Sequence, residues 1–201
     1  MIKIKICGLK TIADIEIVNL YKPDYVGFVL APSKRQISFE KAKEFKSHLD
    51  AGILTVGVFV NAEIETILKF VNHKIIDIIQ LHGTEDNKYR AELRKRTACL
   101  IIQAILVTEN KISETNIENT DFLLFDAASS SQRGGTGKTF DWSLLEDIKQ
   151  PFFLAGGLNE HNISEAGNIL SPYCFDVSSG METNGNKDLE KIKKLIEIVR
   201  S

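Results

Sequence analysis

Cysteine is scarce and poorly placed for cross-linking. Cys7, Cys99 and Cys174 are odd in number and far apart, which fits neither a disulfide framework nor a structural zinc site. No apolar run approaches the roughly 20 residues needed to span a bilayer, so no membrane partner is expected. Excess charge is also missing: the formal net charge is -2, which gives no reason to expect a nucleic-acid partner. The basic clusters Arg94 to Arg96 and Lys191 to Lys194 lie among helix formers with acids nearby and read as solvated helix faces. Met1 is followed at once by the strand-like IKIKIC, without a basic n-region, an apolar h-region or a small-residue cleavage site. Reduced thiols and a cytoplasmic location are therefore the expectation. No linker needs to be invoked, and residues 1–201 are expected to form a single domain with a sizeable core.

What is present is an alternation. Strand-like runs fall at 2–7, 25–30, 53–60, 75–81, 99–107, 122–125, 152–155 and 174–177. Helix-like segments follow at 11–20, 38–49, 62–72, 85–96, 111–119, 142–149, 160–170 and 188–199, with Thr11, Ser38 and Asn61 as candidate caps. Eight strands alternating with eight helices predict an α/β fold with parallel strands joined by helical crossovers. At about 25 residues per unit, a single closed (β/α)8 TIM barrel is favoured over an open doubly wound sheet, which usually has five or six strands. Active sites of such barrels lie at the C-terminal ends of the strands.

Polar residues and glycines gather at those ends. The run 122–125 stops at Asp126, a carboxylate costly at the end of an apolar strand unless it is paired, hydrated or functional. Cys7 ends the first strand and is compatible with a buried small hydrophobe or a working thiol, the latter needing a lowered pKa. His82, close to Gln80, fits either a substrate contact or a local hydrogen-bond network. Arg35 follows the second strand, and its planar fork suits a carboxylate as well as it suits solvent. Gly156-Gly157 and Ser178-Ser179-Gly180 follow the seventh and eighth strands, where barrel enzymes often hold phosphate on exposed backbone N–H groups. The segment RGGTGKT at 133–139 is no nucleotide-binding P-loop: the glycine that the motif requires at position 132 is Gln132. A glycine-rich lid over the substrate is the better expectation. Cys99 and Cys174, at strand starts, read as structural.

These stretches resemble the phosphoribosylanthranilate isomerase family. The matching segments are KICGLK at 5–10, GFVLAPSKRQIS at 27–38, VGVFVN at 56–61, QLHG at 80–83, LLFD at 123–126, GGTGKTFDW at 134–142, AGGLN at 155–159 and DVSSGME at 176–182. The resemblance implies a barrel that isomerises a small-molecule phosphoribosyl substrate by an Amadori rearrangement, in tryptophan biosynthesis, without metal or organic cofactor. It implies Cys7 as general base and Asp126 as general acid. Arg35 would hold the anthranilate carboxylate, and His82, Gly135, Gly156, Gly157, Asp176, Ser179 and Gly180 would contact the remainder of the substrate. One departure is Asn184 in TNGNKD, where relatives often have proline, a difference that touches local loop rigidity. Another phosphosugar enzyme on the same barrel and a silent phosphosugar binder are the rival readings, and a monomer and a homodimer are equally compatible with the sequence.

Overall fold

The structure, a computed structural model, describes residues 1–108, 111–112, 117–127 and 140–201. Short runs rich in β-branched and aromatic residues form eight strands: β1 (Lys3–Cys7), β2 (Tyr25–Val29), β3 (Leu54–Phe59), β4 (Ile78–Leu81), β5 (Leu100–Thr108), β6 (Phe122–Ala127), β7 (Phe152–Leu154) and β8 (Cys174–Val177). They pair in parallel in the order β4-β3-β2-β1-β8-β7-β6-β5. The sheet closes where β4 meets β5, with Ile78 opposite Leu100. The expected closed eight-stranded barrel is therefore present.

Six α-helices occur among the described residues: α1 (Ile12–Tyr21), α2 (Phe39–His48), α3 (Ile64–Asn72), α4 (Asn87–Arg96), α5 (Ile163–Leu170) and α6 (Leu189–Arg200). Their starts follow from capping chemistry, in which a side-chain oxygen accepts from an otherwise unpaired N–H of the first turn. Thr11 and Asp14 form a reciprocal capping box on α1, Ser38 accepts from Lys41 N on α2, and Asp188 accepts from Glu190 N and Lys191 N on α6. Asn61 does not cap α3 as expected. It sits at φ 49°, and its Oδ1 accepts from Thr84 N, so its side chain serves the β4–α4 loop instead.

Two of the eight expected helices differ. In 111–119, Lys111–Ile112 add an antiparallel bridge to the end of β5, and Glu118 and Asn119 make a turn with Asn119 at φ 61°. Residues 113–116 of that expected helix lie outside the described residues. In 142–149 only a short 3-10 turn forms, Trp142–Leu145, with Asp141 accepting from Ser143 N. Pro151 follows closely, and a residue before proline is pushed away from helical geometry.

The core has two parts. Between barrel and helices lie Ile4, Ile6, Phe28, Phe45, Phe59 and their neighbours, all buried. Inside the barrel, Tyr25, Val56, Ile78, Ile102, Leu124, Phe153 and Cys174 fill the half nearest the strand starts. Because strand side chains alternate, the same inward rows continue upward into polar residues: Lys5 and Cys7 on β1, Gln80 on β4, Asp126 on β6 and Asp176 on β8.

Candidate active site

At the C-terminal ends of the strands a cavity of about 430 Å³ opens. Cys7, Arg35, His82, Asp126, Asp176 and the loop residues Gly156, Gly157, Ser179 and Gly180 all line it. The structure thus brings together every described site residue that the sequence nominated. Gly135 and the glycine loop at 133–139 lie outside the described residues.

The cavity owes its shape to missing side chains. A Cβ on Gly27, opposite Cys7 in the β1–β2 register, would stand 2.5 Å from Cys7 Sγ. Gly156 has φ +88°, and a Cβ there would lie 2.5 Å from Ala127 N and 3.1 Å from Asp126 Oδ1. Both positions therefore tolerate glycine alone, for reasons of space at the first and of space and backbone angle at the second.

Beneath the cavity runs a buried polar chain. Lys5 is fully enclosed, and its ammonium donates to Asp176 Oδ2 and to Gln80 Oε1, each at 2.7 Å. Gln80 Nε2 lies 2.9 Å from His82 Nδ1, and His82 Nε2 lies 3.4 Å from Asp126 Oδ2. Burial works against the charge on Lys5, but the adjacent Asp176 carboxylate, with Cys7 adding to its pull, holds the ammonium above its ordinary range. Asp176 spends only Oδ2 on this contact, Oδ1 having no hydrogen-bond partner among the described residues, and burial pushes its carboxyl up.

Cys7 is buried beside these groups, and its carbonyl accepts from Ser178 Oγ at 3.1 Å. A working thiol was expected to have its pKa lowered. The structure reverses that direction: burial pushes the Cys7 thiol above the ordinary range, with Asp176 adding to the rise and Lys5 and Lys187 opposing it. Two cations nearby do not offset the loss of water around a thiolate.

Arg35 is not a bare fork facing substrate. Its Nε and Nη2 donate to the two oxygens of Glu182 at 2.7 and 2.9 Å, a bidentate pair. Glu182 also accepts from the buried Lys187, whose Nζ reaches Ser178 O at 3.0 Å. Hydrogen bonding to Glu182 raises the Arg35 pKa. Sequence reasoning passed over Lys5, Glu182 and Lys187 as site residues; the hydrogen-bond network it allowed between Gln80 and His82 is present. Glu182 and Lys187 sit on a small antiparallel hairpin, Glu182–Thr183 with Asn186–Lys187, turned by Asn184 at φ 53° and Gly185 at φ 79°. Asn-Gly is the strongest short hairpin signal, so the TNGN string contained the missing clue. A proline at 184 would be barred from that positive φ, which gives the departure at Asn184 a structural meaning.

A barrel whose strand ends join a buried thiol, a carboxylic acid and two glycine-rich loops over one cavity is that of a phosphosugar-handling enzyme working by proton transfer. A family model described as N-(5'phosphoribosyl)anthranilate (PRA) isomerase matches residues 4–198, and the chain belongs to that family. It is 51% identical over 201 residues to an N-(5'-phosphoribosyl)anthranilate isomerase of Endomicrobium trichonymphae, with all of both chains covered. Among solved structures, it resembles the phosphoribosyl anthranilate isomerase of Thermotoga maritima, with a TM-score of 0.89 and 36% identity over 100% of this chain and 99% of that one. It also resembles a phosphoribosyl anthranilate isomerase in complex with reduced 1-(o-carboxyphenylamino)-1-deoxyribulose 5-phosphate, with a TM-score of 0.81 and 32% identity over 100% of this chain and 99% of that one.

Proposed function

We infer that the chain isomerises N-(5'-phosphoribosyl)anthranilate to 1-(o-carboxyphenylamino)-1-deoxyribulose 5-phosphate, with Asp126 as general acid and Cys7 as general base. The observation that carries the assignment of roles is that both groups end inward strand rows on one cavity. Asp126 gives a proton to the furanose ring oxygen. The C1'–O bond breaks as the amine nitrogen pushes its electron pair in, leaving an open-chain protonated Schiff base. Cys7 as thiolate then takes the C2' proton, and the electron pair neutralises the iminium to give an enolamine, which tautomerises to the ketone. The positive charge of the Schiff base, formed beside a thiol that burial holds protonated, favours the thiolate at the step that needs it. Each positioned proton transfer supplies about 10²–10⁴ in rate.

The remaining contacts divide by chemistry. Arg35, locked in plane by Glu182, keeps Nη1 for the anthranilate carboxylate. Gly156, Gly157, Ser179 and Gly180 take the phosphate on their backbones, and Gly135 belongs to the same set by motif. The close approach of these two loops supports that reading, since a Cβ on Gly180 would lie 2.1 Å from Leu158 O. Three free cysteines, two of them buried, support a reducing, cytoplasmic setting. The test is loss of phosphoribosylanthranilate fluorescence with the purified chain and no other enzyme. Turnover is the expected result; tight binding of the reduced product analogue without turnover would make the chain a silent binder.

A further inference from the structure

We propose that Gln80 is a positioning residue for the acid: anchored by Lys5, it fixes His82 as the neutral tautomer that carries its proton on Nε2, the nitrogen that faces Asp126. The argument is one of hydrogen-bond direction. An ammonium only donates, so the Gln80 atom 2.7 Å from Lys5 Nζ must be the amide oxygen. The reversed amide would set NH2 against NH3+ inside a fully buried pocket. With Oε1 committed to Lys5, the atom 2.9 Å from His82 Nδ1 is the amide NH2, which also only donates. Nδ1 must therefore accept, and the neutral ring bears its hydrogen on Nε2, 3.4 Å from Asp126 Oδ2. Lys5 acts through two intermediates on a carboxylate it does not touch.

Two other histidines supply the contrast. His48 Nδ1 and His73 Nδ1 lie 2.9 and 2.8 Å from the backbone carbonyls of Glu44 and Lys69, which accept, so those rings place a hydrogen on Nδ1. His82 is thus set to the opposite tautomer. The consequence for the reaction is an allocation of oxygens: an Nε2–H 3.4 Å from Asp126 Oδ2 leaves Oδ1 to carry the proton that is transferred. A ring free to switch tautomer would set a bare nitrogen against Asp126 and compete for that proton. Among the described residues, the charged groups near this ring are Asp126 on β6, Asp176 on β8 and Lys5 on β1, and Glu85, Asp86, Arg90 and Glu118 line a second cavity with it.

The role in catalysis rests on Asp126 being the acid, whereas the tautomer does not. The experiment uses the full chain with 15N-labelled histidine and long-range 1H–15N correlation spectra, the His82 signals being assigned by their loss in His82→Gln. The expected spectrum shows Nε2 protonated and Nδ1 bare for His82, and a hydrogen on Nδ1 for His48 and His73. A hydrogen on Nδ1 of His82 in the unaltered chain would overturn the proposal without any variant being needed. In Gln80→Glu both carboxylate oxygens accept, so Nδ1 should gain a proton while kcat falls about tenfold and KM moves little. Gln80→Met, of similar length, should lose the tautomer preference with a similar fall in kcat. Unchanged turnover in both variants despite an altered spectrum would overturn the positioning role. Unchanged turnover in Asp126→Asn would instead remove the acid assignment and leave the tautomer standing.

Discussion

At the strand starts, Tyr25, Phe122, Phe153 and Tyr173 pack ring against ring with centroids 4.7 to 5.7 Å apart. At the other end of the barrel, Lys5, Gln80, Asp126 and Asp176 are buried too, but there Lys5 holds Gln80 and Asp176 by directed hydrogen bonds and His82 lies 3.4 Å from Asp126. Apolar contact is non-directional, so the aromatic end tolerates changes that preserve volume and gives up only stability when cut. The polar end gains little stability from its buried charges, because desolvation offsets their attraction. What it gains is a fixed direction for each hydrogen bond. The two ends therefore predict different failures.

The largest effect is expected at the polar end. Cys7→Ser and Asp126→Asn should each lower kcat by about 10²–10⁴ while leaving binding of the reduced product analogue and the circular dichroism spectrum near normal. Near-normal turnover in either would take that residue out of the mechanism. Phe153→Ala, at the aromatic end, should cost about 3–5 kcal/mol in urea unfolding yet leave kcat per folded molecule almost unchanged. Loss of activity in the folded Phe153→Ala chain would show that the two ends are not separable.

The pH dependence sharpens the contrast further. In the proposed mechanism Cys7 acts as the thiolate, and burial raises the thiol's pKa, so the thiolate fraction at neutral pH is smaller than for a solvated thiol. In a pH titration the thiolate absorbance that disappears in Cys7→Ser should accordingly emerge only above the ordinary thiol range. Thiolate absorbance from Cys7 already present at neutral pH would contradict a thiol raised by burial. The smallest effect belongs to the hairpin that carries Glu182. Gly185→Ala meets no atom within 4 Å, so its cost is the positive φ alone, about 1 kcal/mol in thermal unfolding, with KM for substrate nearly unchanged.

Much of this division was legible before any coordinates. Apolar runs without alternation marked strands buried on both faces, and Asp126 stood out because an acid at the end of such a run needs a reason. The capping signals at Thr11 and Ser38 carried through because they act within four residues. Asn61 failed because its oxygen is claimed by Thr84, a contact across 23 residues that no local pattern encodes. The segment at 111–119 lacked a firm apolar period, and helix was assigned there by rhythm rather than by residues. Lys5 was hidden for a different reason. A lysine in a strand reads as a solvent-facing position, and only closure of the barrel supplies Asp176 and Gln80 to make its burial tolerable. The pKa direction of Cys7 was lost similarly, since the degree of enclosure is a property of the closed barrel.

The Lys5–Asp176 pair links residues 171 positions apart, across the seam where β1 meets β8. A contact of that sequence separation is among the slowest a chain can make, because the loop entropy must be overcome before the contact stabilises anything. Local helices and the early β–α units need no such closure. The last seam to form would therefore be the one that brings Asp176 to Lys5 and completes the charges around Cys7. A half-closed barrel would have most of its secondary structure and none of its chemistry, so that regained turnover reports a finished fold where regained helicity does not.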